Sequence, residues 1–306
     1  MEAKLKLNWF MSLFLMFLGS LALGQEVEGT ASLGDVIYQE YKENGIDKAL
    51  ERYGQIKSSN SAEYELTEWE LNRIGYRLMD EGDMDAAEKI FRLNMEEYPK
   101  SANPRDSYAD YLIRAGDKGG AKKFLQESVS IAEKSEREDE KSVMRGSKSK
   151  LAKLEDKHKQ FAFLVGEWNV DATSFMEGLG SGEYKGVDEV VEDEESGVIT
   201  INHKDQQGKI EGKRFIVYDA VEDVFDVAYI GMNAPMGIQH STMEVKDLGN
   251  GNYEMIEKYE EDGVEKQAKH ELRQNEKGEL IWVVYEGGSA GEDWKKVYAM
   301  DMKKND

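Results

Sequence analysis

The period at which apolar residues recur changes once along this chain, and that change rules out most folds. Leu71, Ile74 and Leu78 are spaced three and four apart, which puts them on one stripe of a helix. From about residue 158 the spacing drops to two. Val264, Ala268, His270 and Leu272 alternate with Glu265, Gln267, Lys269, Glu271 and Arg273, the pattern of a strand with one face inside and one outside. A run of helices followed by a run of strands makes an α+β chain of more than one domain, not an alternating α/β sheet. The 306 residues suit two domains. Cysteine is absent, so no disulfide helps and each part needs its own buried core.

The helical part, residues 33–135, repeats itself. Ile74, Gly75, Leu78, Gly82, Asp83, Ala87 and Phe91 recur about 34 positions later as Tyr108, Ala109, Leu112, Gly116, Asp117, Ala121 and Leu125. Pro99 closes the first of these units. Small residues at Gly75, Ala87, Ala109 and Ala121 allow close helix crossings, and each Gly-Asp pair turns the chain and caps the next helix. A less regular unit precedes them, with Val36, Ile37 and Tyr41 leading to Gly45, Ala49 and Tyr53. Gly75, Leu78, Ala87, Phe91, Pro99, Ala109, Leu112 and Ala121 resemble the tetratricopeptide-repeat signature. That resemblance implies a scaffold that contacts another protein. The alternative reading is a stacked spacer that positions the second domain.

Residues 136–157 read as a charged helical linker, a solvated extension that caps the repeat through opposite charges four apart. Ser147-Lys148-Ser149-Lys150 matches the Ser-x-x-Lys of serine acyl enzymes. No oxyanion glycine motif accompanies it, so the reading is structural.

Residues 158–304 carry about ten short strands separated by turn signals such as Gly249-Asn250-Gly251 and Asp262-Gly263, which predicts an antiparallel barrel or sandwich with meander connections. Gly166-Glu167-Trp168 at the first strand resembles the opening of calycin barrels, where the tryptophan closes the base. Tyr218-Asp219 with Phe225 and Tyr229 resembles the lipocalin-like domains of exported bacterial proteins. In lipocalins an arginine on the last strand packs on that tryptophan, and Lys295 and Lys296 are read at that place here. A roughly ten-stranded calycin-like barrel has room for one small ligand. Inward candidates by parity are Tyr229, Tyr259, His270, Trp282 and Tyr285, and each has the alternative of plain core packing. The nitrobindins, related ten-stranded barrels, hold haem through one histidine. Resemblance to them would make His270 the axial ligand, with His240 a weaker candidate.

Residues 1–24 combine Lys4 and Lys6, an apolar run, and small residues at Ala22 and Gly24, the pattern of a secretory signal cleaved after Gly24. The apolar run is short for a spanning helix, so no stable membrane insertion is expected after cleavage. The chain is thus expected in the periplasm or outside the cell. A net charge of −22 argues against a nucleic-acid partner. With four histidines, no cysteine and no recognisable catalytic grouping, the chain reads as a non-enzymatic binding protein. The barrel would take a small apolar or amphipathic ligand, and the repeat would contact another exported protein. A scaffold with a solid barrel and a haem-carrying barrel are the other readings. No cofactor is required by the first.

Overall fold

The computed structural model describes residues 32–59, 64, 67–176, 182–231, 237–287 and 293–305. The signal-like segment 1–24, the glycine-rich stretch 178–181 and the apolar stretch 232–236 lie outside these residues.

Three antiparallel helix pairs come first. They are α1 (Leu33–Asn44) with α2 (Ile46–Ser58), α3 (Glu68–Asp80) with α4 (Met84–Glu97), and α5 (Asn103–Ala115) with α6 (Lys118–Ala132). The turn chemistry is as the sequence implies. Asp83 accepts from the backbone N–H of Ala86, and Asp117 from that of Gly120, each capping the second helix of its pair. Gly75 is required by packing: a Cβ there would lie 2.6 Å from the Phe91 ring. Leu78, Ala87, Phe91, Ala109, Leu112 and Ala121 are all buried in one core.

The segment read as a charged linker is a packed helix. α7 (Glu138–Leu154) lies on α5 and α6, and Glu140, Ser147 and Ala152 are buried. Its solvated face keeps the opposite charges, but its other face carries three polar contacts the linker reading did not contain. Glu140 accepts from the N–H of Ala102 at 3.1 Å, capping α5, whose own N-cap Ala102 has no side chain to do so. Ser147 Oγ donates to Asp106 at 2.7 Å and meets Ser128 Oγ at 3.0 Å. Lys150 bridges Asp106 and Asp110. Burial works against its charge, yet the two carboxylates outweigh that and raise the lysine above its ordinary value. The Ser-x-x-Lys pair is therefore an α5–α7 fastening.

Beyond two 3₁₀ turns, Lys157–Lys159 and Ala162–Leu164, ten strands follow: β1 (Gly166–Ser174), β2 (Gly182–Glu192), β3 (Ile199–Asp205), β4 (Ile210–Asp219), β5 (Val224–Gly231), β6 (Ile238–Gly249), β7 (Asn252–Glu261), β8 (Val264–Gln274), β9 (Leu280–Gly287) and β10 (Lys295–Lys304). Each pairs antiparallel with its sequence neighbour, and β1 pairs with β10 to close the barrel. Asn250-Gly251 and Asp262-Gly263 have positive φ at both residues, as two-residue hairpins of matching twist require.

An up-and-down barrel has two ends. The helices meet the base, where Lys157 pairs with Asp223 of the β4–β5 turn and Lys148 donates to the Val221 carbonyl. Phe161 and Leu164 plug that base, and Phe161 sits edge-on to Phe225 at 4.8 Å. Trp168 is buried there, its indole N–H on the Leu164 carbonyl at 2.7 Å. Gly166 opens β1 two residues before that tryptophan.

Candidate functional site

The interior divides into layers along the barrel axis. Nearest the base the inward side chains are apolar and fully buried, among them Val190, Ile201, Ile216, Val227, Met243, Met255 and Leu272. One inward step toward the other end, most of these strands turn polar together. Val190 gives way to Asp188, Ile201 to His203, Ile216 to Arg214, Met243 to Ser241, Met255 to Glu257 and Leu272 to His270. Val227 gives way to Tyr229. Nearer the mouth come Tyr184, Tyr259, Glu286 and Tyr298. Of these polar and aromatic groups only Asp188 and His270 are buried; the others are half-buried.

His270 is fully engaged. The Trp282 indole N–H donates to its Nδ1 at 3.1 Å, and its Nε2 lies 2.8 Å from a Glu257 oxygen. An indole can only donate, so Nδ1 is the bare nitrogen and Nε2 carries the proton shared with Glu257. Burial pushes the Glu257 carboxyl up. The hydrogen bond from His270, the Arg214 charge and the Ser241 hydroxyl outweigh it and hold the carboxyl down at about 2. A second pair stands across the layer, with His203 Nδ1 at 2.7 Å from Asp188.

Arg214 occupies the same layer and is bound to neither carboxylate. Its Nε is buried and has no hydrogen-bond partner, and its guanidinium lies 5.9 Å from the Tyr229 ring. Two glycines make room for the tyrosines. A Cβ at Gly212 would lie 2.6 Å from the Tyr229 hydroxyl, and one at Gly186 would lie 2.3 Å from that of Tyr184 and 2.4 Å from the Lys204 carbonyl. Tyr259 donates to Glu286 at 2.6 Å; burial and that carboxylate raise its phenol above the ordinary value. Tyr298 is raised by burial and by Asp188, with Arg214 acting against them.

Four of the five residues picked by parity, Tyr229, Tyr259, His270 and Trp282, face the interior. Tyr285 does not. It stands three positions from Trp282 on an unbroken strand, hence on the opposite face, where Lys269 lies over its ring at 4.7 Å. The cation on Trp168 is also placed differently from the sequence reading. Register puts Lys295 and Lys296 opposite Glu286 and Tyr285, whereas Lys304 pairs with Trp168 and holds its ammonium 5.4 Å from the ring centroid. Gly166 admits that lysine, because a Cβ there would lie 2.8 Å from Lys304 Cε. His240 is exposed on the outer face.

Asp188, His203, Arg214 and Glu257 were not picked from the sequence. Strand parity puts each of them inside, but charged side chains are read as outward by default.

Among the described residues no group of three or more acidic or histidine side chains converges as a metal site, and no helix is long and apolar enough to cross a membrane. No protein-family model matches the sequence, and no curated protein matches it.

Proposed function

We propose that this chain is an exported, non-enzymatic binding protein whose barrel takes one small amphipathic molecule through its mouth, and whose helical pairs, a tetratricopeptide-like module, contact another exported protein. The observation that carries the reading is the layered interior of a calycin-like barrel: a solid apolar base beneath a half-buried layer of polar and aromatic side chains. Binding pockets have this composition, mostly carbon with a few placed polar groups. A purely structural barrel gains nothing from an interior guanidinium whose buried Nε lacks a partner, since that N–H costs desolvation and returns no hydrogen bond. Phe175, Met176, Ile238 and Val264, exposed at strand ends around the mouth, suit the apolar portion of such a ligand.

Haem is the weaker proposal. Ligation through His270 would require Glu257 or Trp282 to release the ring. On the helical side, a groove of about 650 Å³ lined by Trp69, Arg73, Tyr76, Arg77 and Asn103 supports a contact face, and Trp69 is 67% exposed within it.

Native mass spectrometry of the chain purified from its own host, with a visible spectrum of the same sample, tests this. A retained organic mass without a Soret band is the expected result. A bare chain that takes up no apolar dye overturns it, and a Soret band lost on His270→Ala puts haem in its place. The same spectrum reads whether the chain begins at Gln25.

A further inference from the structure

We propose that the polar end of the ligand is a carboxylate and that Arg214 is its anchor; the inference rests on the binding reading above. The guanidinium sits on the inward face of β4, one step above the apolar plug at Ile216. Its buried Nε has no partner, and no ion pair joins Arg214 to any carboxylate among the described residues. The two carboxylates of its own layer are committed elsewhere: Asp188 to His203, Glu257 to His270 and Ser241. Glu257 feels the Arg214 charge through space without an ion pair to it, which leaves the planar fork of donors for an acceptor from outside the protein.

A carboxylate is the group that such a fork matches in shape as well as charge, through two parallel hydrogen bonds. The approach is built for it. The next inward position toward the mouth on β4 is Gly212, and on β5 it is Gly231. At those two inward positions neither strand presents a side chain of its own, and the Tyr229 ring lies across Gly212. Tyr298 is a further inward phenol on the mouth side of the barrel. A carboxylic acid with an apolar remainder would place its head in the polar layer and its carbon toward the exposed apolar rim.

The test compares 11-(dansylamino)undecanoic acid with its methyl ester, which differ only at the head group. Both are titrated by fluorescence into the chain from Gln25 onward, helices and barrel together. The acid is expected to bind at one site about 10- to 100-fold more tightly than the ester, as a charge-assisted bidentate contact implies. Arg214→Leu is expected to abolish that difference and leave ester binding in place. Near-UV circular dichroism checks that the variant is folded. Should it not fold, Arg214→Lys, which keeps the charge but loses the fork, is expected to reduce the acid-to-ester ratio by several-fold. Equal binding of acid and ester to the unaltered chain overturns the anchor and leaves the binding reading standing. A ratio that survives Arg214→Leu also overturns it. Failure of both probes to bind overturns the carrier reading beneath it.

Discussion

Replacing Glu257 by glutamine isolates the electrostatics of the polar layer, because glutamine is a standing mimic of the protonated acid. In the folded barrel the carboxyl is held at about 2 against an ordinary 4.5. A difference of that size corresponds to about 3 kcal/mol favouring the ionised form in the folded state. The side chain is 16% exposed, so solvent screening removes little of it. The sign follows from the depressed value. The stabilisation is complete above the ordinary carboxylate value and is lost as pH falls from there toward 2. Glu257→Gln should therefore cost about 3 kcal/mol near neutral pH, in the range expected when a buried carboxylate loses hydrogen bonds to its charged form. At one pH unit below the ordinary value the unfolded carboxyl is mostly protonated, and the gap between the two proteins should have closed by about 1.4 kcal/mol.

Urea unfolding followed by tryptophan emission reads this, since Trp168 and Trp282 are both buried in the barrel core. Midpoints are compared at neutral pH and at two or three acidic values, provided the denaturant slopes agree. A gap that stays constant with pH would refute the argument, because it would mean that the glutamine costs packing and not charge. Absence of any gap would mean that His270 and Ser241 do not hold Glu257 as the geometry has it. The same substitution removes a negative charge near Arg214, so the acid probe should bind the variant more tightly than it binds the parent.

Three further outcomes are expected. Glu140→Ala removes the cap that α7 lends to α5 and should lower the stability of the helical part by about 1–2 kcal/mol, read as an earlier far-UV transition with the barrel signal unchanged. Ser147→Ala should cost about 1 kcal/mol in the same transition through its lost contacts to Asp106 and Ser128; an acyl-enzyme adduct with a serine-directed phosphonate on the parent would contradict the structural reading of this serine. Gly212→Val forces the Tyr229 ring off β4 and should lower probe affinity about tenfold while costing about 1–3 kcal/mol of stability.

The division into helices and barrel was legible because periodicity is a property of many residues at once. Turn glycines confirmed it locally: Gly116 has a φ of 84°, and Asn250-Gly251 turns as its type requires. The closing tryptophan was legible for the same reason, since Gly166 and Trp168 sit at a boundary that the chain marks with a change of period. Its cation was not. The lysines at 295 and 296 look suitable by proximity in sequence, but the partner of a residue near the start of β1 is set by the stagger of a closed barrel, which brings Lys304 to Trp168. Stagger is a long-range property that no local pattern records. Tyr285 was misplaced by a parity slip of one position, which in a strand reverses the face completely.

The polar layer was hidden by a different mechanism. Asp188, His203, Arg214 and Glu257 each occupy an inward position of a strand whose alternation is otherwise regular. Taken one strand at a time, a charged residue at an inward position looks like a break in the pattern and weakens the strand assignment. Across neighbouring strands the break falls one inward step above the apolar plug each time, which random departures would not do. Withdrawing so many ionisable groups from water, wholly or in part, at one depth is costly unless they are paired. Two histidine–carboxylate pairs meet that cost for four of them, while the buried Nε of Arg214 has no hydrogen-bond partner. That imbalance sets Arg214 apart from the paired groups around it, and it is why substitution at this position is the decisive perturbation of the proposed site.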